Sequence, residues 1–288
     1  MTQAPTDIRR TTAGIRCILV VASILVFLVG VQLFVLTEMT DVFFAWTISS
    51  PLTAAFLGAA YWASCTMEFT ASRQGNWAGA RIAVPAVLVF TGVTLGVTIL
   101  HIDLFHLDSP SALTGFLTWA WLFVYAVVPP VMTLLLVRQM RTHGADPRRG
   151  AALSGWFRTL LTTHAGLLIP VGVALLLMPE VTGRIWPWTL TPLAGRAIGA
   201  WLLGLGIAAI HAVHENDWQR IRPATMSYIV FAGLQLVAVA RYPGELDWAA
   251  PHTWVYLFFL LSALLAGGHG WWQATQYVAS IPPRQHFP

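Results

Sequence analysis

The segment His101-Ile-Asp103-Leu-Phe-His106-Leu-Asp108 places two imidazoles and two carboxylates within eight residues. Such groups can ligate a divalent metal, and the imidazoles can carry protons near neutral pH. On one continuous helix His101 and His106 would lie about 140° apart, so they converge on an ion only in a loop or an unwound helix end. No His-Glu-x-x-His or comparable zinc spacing accompanies them. A solvated loop with helix-capping Asp and interfacial His is the plain alternative. A polar stripe leads to the segment, because Thr91, Thr94, Thr98 and His101 are spaced 3, 4 and 3, one face of a helix. In the second half of the chain, Gln235 and Arg196 fall at matching depth. An Arg below the headgroups calls for a partner, and Asp103 and Asp247 are the nearest carboxylates in topology. The expected ligand-binding site is therefore His101, Asp103, His106, Arg196, Gln235, Thr94 and Thr98, with His101, Asp103 and His106 as its metal-binding version. Arg196 as a purely structural brace is the competing role.

A second polar group lies nearer the other ends of the apolar stretches: Glu68, His164, His211 and His269. Ionisable residues inside a bilayer are costly, so Glu68, His164 and His269 are expected to face protein. His164 and His269 are the pair that could hold haem between two helices. Pro129-Pro130 and Gly267-Gly268-His269-Gly270 share this depth and predict helix breaks, which in repeat-built transporters point to a binding site.

The elements that carry these residues follow from composition. Apolar residues make up 57% and charged residues 10% of the 288, well beyond the balance of a soluble domain. Eight apolar stretches approach the length of about 20 residues that spans a bilayer core: 14–36, 51–69, 82–101, 112–137, 159–178, 192–211, 223–241 and 252–275. Their apolar character is continuous and not alternating, so the fold class expected is an all-α, eight-helix membrane protein. The first stretch is too long for a signal-peptide core and reads as a retained helix.

The chain also repeats itself. At an offset of 141 residues, twelve of the 45 positions from 51 to 95 recur identically, including Pro51/Pro192, Gly58/Gly199, Trp77/Trp218, Arg81/Arg222 and Phe90/Phe231; composition alone would give roughly four. Two four-helix units are expected, 1–137 and 159–288 with their tails, joined by a basic cytoplasmic linker at 138–158. There are sixteen Arg and no Lys, and all but Arg184, Arg196 and Arg241 fall in the tails or the even-numbered connections. Cytoplasmic loops carry the positive excess, so both termini are expected in the cytoplasm. An even number of helices per unit then makes the units parallel, about an axis along the membrane normal. The linker reads as exposed, the tails 1–12 and 277–288 as disordered, and each Trp…Arg pair as an interfacial anchor with an outward-snorkelling guanidinium. Cys17 and Cys65 read as inert thiols.

Several functions are excluded. A chain without Lys forms no retinal or other Lys-linked Schiff base, and no P-loop, Rossmann fingerprint, nucleophile elbow or Cys cluster is present. A basic nucleic-acid-binding module is also absent. The reading that remains foremost is a transporter or permease for a small molecule or ion in a cell membrane, of the bacterial inner-membrane kind. Its partners would be the bilayer and the substrate, and it needs no cofactor. The alternatives are a membrane enzyme or metal-binding protein using the His101–His106 loop, and a redox protein with haem on His164 and His269.

Overall fold

The computed structural model describes residues 7–280, with side chains as far as residue 276. It is all-helical, and among the described residues the only extended pairings are isolated bridges such as Ile8 with Ala145 and Trp46 with Phe105. The long helices are α1 (Ala13–Phe34), α2 (Pro51–Ser72), α3 (Ala83–Leu100), α4 (Ala112–Met140), α5 (Gly155–Leu177), α6 (Pro192–Glu215), α7 (Arg222–Arg241) and α8 (Pro251–Ser280). Each coincides with one expected stretch. Seven of them are long and apolar enough to cross a membrane, which makes the chain a multi-pass integral membrane protein. The remaining long helix, α2, is less apolar, and most of its residues are buried against neighbours.

Local chemistry sets the helix starts. Ser50 and Thr191 accept hydrogen bonds from the backbone N–H of Thr53 and Ala194, and Pro51 and Pro192 follow at the first helical position. Thr12 and Ser111 cap α1 and α4 in the same way. Packing is densest where side chains vanish. A Cβ on Gly58 would lie 2.5 Å from the Phe34 nitrogen, so α1 and α2 touch backbone to backbone. The α5–α6 pair does the same at Gly172 and Gly199, whose Cβ positions lie 2.9 and 2.7 Å from each other's carbonyl oxygens. The other extensive pairings are α2 with α7, α3 with α6, α3 with α4, and α7 with α8. Thus α2, α3, α6 and α7 form an inner bundle, and α1, α4, α5 and α8 lie outside it.

Four local expectations are corrected. First, α4 runs unbroken through Pro129-Pro130 and α8 through Gly267–Gly270. Thr133 donates to the Pro129 carbonyl, while Gly267 and Gly270 bring α8 against Ile229 and Thr225 of α7; close packing explains those glycines. Second, Trp77 and Trp218 are buried core residues, and Arg81 does not snorkel but binds carboxylates. Third, residues 7–12 are tied down: Arg9 N–H donates to Ala145, Thr11 N–H to Gly75, and the Gln139 amide to Arg10. Residues 277–280, also expected as tail, continue α8, and 1–6 and 281–288 lie outside the described residues. Fourth, the connection between α4 and α5 (residues 141–154) is docked on the α6–α7 turn through Gly150 N–H to Asp217, Leu153 N–H to Asn216, and Trp218 N–H to Ala151.

Candidate functional site

The polar residues named from the sequence separate into two places. Arg196, one turn inside α6, donates from Nε to the Leu176 carbonyl at 3.0 Å and reaches His101 Nε2 with Nη1 at 2.9 Å. Its partner is therefore an imidazole and not a carboxylate. Asp103 lies nearby on the exposed turn Ile102–Leu104. Burial, and next the Arg196 charge, lower the His101 pKa, against an opposing pull from Asp103 and Glu180. A neutral imidazole can accept the guanidinium's hydrogen bond; an imidazolium cannot. His106 turns elsewhere. Its ring nitrogens meet Thr47 Oγ1 at 2.9 Å and the Phe44 carbonyl at 3.1 Å, so it braces the α1–α2 connection. Among the described residues, no three His, Cys, Asp or Glu side chains are grouped as a metal site.

Thr94, Thr98 and Gln235 face the protein interior. Thr98 accepts from Trp121 Nε1 at 3.1 Å, and the Thr94 hydroxyl is enclosed without a partner among the described residues. Gln235 donates to the Phe56 carbonyl at 3.0 Å and accepts from the Tyr256 hydroxyl at 3.1 Å. The stripe thus buries its hydroxyls among aromatic rings and does not line open water. His164 and His269 sit on successive levels of the α5–α8 pair. His164 bonds Ser262 at 3.0 Å, whereas His269 lies against Trp156, Phe157 and Trp218, about two helical turns further along α8.

Two hollows at the His101 end were invisible in the sequence. One, of about 240 Å³, lies between α5 and α8 and is lined by apolar and aromatic side chains that include Val171, Trp186, Tyr256 and Phe259, with Phe56, Leu202 and Phe231 behind them. Beside it lies a polar vestibule of about 400 Å³ that includes Glu180, Arg184, Glu245, Asp247 and His252. Trp186, Pro187 and His252 belong to both. The counterpart on the α1–α4 side is almost filled, with about 10 Å³ left among Trp46, Tyr61, Phe90, Trp121 and Trp201. The reason is side-chain size: Tyr61 stands where the 141-residue offset puts Leu202, Trp201 stacks on Phe90, and Trp121 packs against Tyr125.

The opposite end is closed by charge. Glu215, fully buried at the end of α6, takes Arg81 (Nη2–Oε2 2.8 Å), Arg220 (3.1 Å) and His211 (3.2 Å). Arg81 also binds Asp146, and Arg220 donates to the Pro147 carbonyl at 2.6 Å. One network therefore joins the start of α3, the α4–α5 connection and the α6–α7 turn. Of its members, His211 and Arg81 stood out in the sequence, Arg81 only as an outward-snorkelling anchor. The signal available was the offset itself, which pairs Gln74 with Glu215 and Asn76 with Asp217, neutral residues with charged ones. No family model, curated protein or solved structure matches this chain.

Proposed function

We propose that this protein is a transporter of small molecules in the cell membrane, with eight spans in two parallel four-helix units and its hollow end facing outward. The observation that carries this reading is the opposition of the two ends: cavities at one, an ion network bridging both halves and their connection at the other. A carrier resting in its outward-open state needs that asymmetry, with an inner gate of buried charge pairs that can break and re-form. The packing supports parallel units, since α1–α2 corresponds to α5–α6, α2–α7 to α6–α3, and α3–α4 to α7–α8 under the 141-residue offset. Interlocking bonds support a shared axis: Glu245 caps α2 through Ser50 and the Leu52 N–H, and Trp188 donates to Thr53 at 2.8 Å. Arg on the network side supports placing that side, and both termini, in the cytoplasm.

Alternating access has a direct test. Spin labels at Leu104 and Ile185, both exposed at the hollow end, are introduced after replacing Cys17 and Cys65. Dipolar spectroscopy in liposomes should give two distance populations. One narrow population, unchanged by Glu215→Gln, contradicts the carrier.

A further inference from the structure

We infer that the α5–α8 cavity and its vestibule form one site for an amphiphile with a single apolar chain and an uncharged head bearing an acceptor oxygen, such as a long-chain alcohol. The substrate class rests on the reading of this end as the carrier's outer opening.

Three observations define the occupant. The cavity walls are almost wholly hydrocarbon and aromatic, and its 240 Å³ exceeds an apolar cavity of about 150 Å³ that stays dry and takes up benzene. Leu167, Ile185 and Val255 on its rim are exposed, so the cleft between α5 and α8 opens sideways toward lipid. From His252 to Phe259 the lining runs seven residue steps along α8, about 10 Å, which is most of one bilayer leaflet. A chain lying in that leaflet can enter without crossing water.

The head is specified by what surrounds it. Trp186 lines both hollows, and its indole N–H is enclosed without an acceptor among the described residues. A buried donor left unpaired is costly, and an acceptor oxygen at the junction of tail and head would satisfy it. The vestibule sets Glu180, Glu245 and Asp247 against Arg184. That balance repels a carboxylate or phosphate head. An ammonium head offers no acceptor to the indole. A neutral hydroxyl meets both conditions.

The test uses the full chain in phosphatidylcholine nanodiscs with three photoreactive probes of one chain length, a dodecanol, a dodecylamine and a dodecanoate. The dodecanol probe should label residues 167–171 and 255–259 saturably, with unlabelled dodecanol competing. Dodecanoate should bind about tenfold more weakly. Trp186→Phe, which keeps the ring but loses the donor, should lower dodecanol affinity by up to about tenfold and leave dodecylamine binding unchanged. Val171→Trp should fill the cavity and abolish labelling, with Leu168→Trp in its place should the first fail to fold. Equal binding of dodecanoate and dodecanol, labelling that does not saturate, or an unaffected Trp186→Phe overturns the assignment. Saturable labelling in a protein with a single spin-label distance supports the assignment and removes the carrier. Two distances without cavity labelling do the reverse.

Discussion

His101 and Arg196 form a polar contact between the two halves of the chain, and its chemistry makes it pH-dependent. His101 has a pKa below the ordinary 6.5, chiefly through burial and the neighbouring guanidinium. The folded state therefore disfavours protonation relative to the unfolded state. Stability from this group is complete above about pH 6.5 and is lost as pH falls through the lower folded value. Thermal unfolding in nanodiscs should show a drop on acidification that His101→Gln removes, while Arg196→Leu lowers the midpoint at all pH values. An identical acid profile in His101→Gln would assign the pH dependence to other groups. At the opposite end, Glu215→Gln leaves Arg81 and Arg220 short of their buried counter-charge, a loss of about 3–5 kcal/mol for such pairs. The expected readouts are a lower unfolding midpoint and greater labelling of a cysteine at Ala208 from the Arg-rich side. The two polar ends differed in legibility. His101 and Arg196 could be named because polar residues beside apolar runs stand out. Glu215 could not, because a carboxylate at a helix end reads as solvated until the fold folds a loop over it.

Helices were the most legible feature, because a bilayer demands continuous apolar runs of fixed length and Ser/Thr–Pro pairs mark where they begin. The breaks expected at Pro129-Pro130 and Gly267–Gly270 are absent for a reason composition cannot express. Proline is tolerated inside a membrane helix without a break, and glycines serve close approach as readily as unwinding. Gly58 and Gly199 are the positions where that approach is tightest. Replacing Gly199 with Leu forces α5 and α6 apart and should cost about 1–3 kcal/mol by overpacking, as should Gly58→Leu for α1 and α2. Gly233→Leu, with open space around its Cβ position, serves as the control. Comparable unfolding midpoints for all three variants would contradict backbone-to-backbone packing of these pairs.

For the whole molecule, the two-unit architecture proposed above uses one scaffold twice, and side-chain differences make its halves unequal. The 141-residue offset was readable directly, but the consequence of Tyr61 against Leu202, or Gln74 against Glu215, depends on which residues meet across the two halves. That is why the hollow between α5 and α8 and the ion network were not legible, although each is made of residues in plain sight. The central claim is that two parallel units share one outward-facing end. Cysteines at Thr47 and Thr189, exposed positions in Trp-Thr pairs that match at an offset of 142, one residue longer than the repeat offset, test it with a third at Arg148, in a background lacking Cys17 and Cys65. A membrane-impermeant maleimide should label the first two in intact cells and Arg148→Cys only after permeabilisation. Labelling of Thr47→Cys and Thr189→Cys from opposite sides, or of Arg148→Cys from outside, would contradict it.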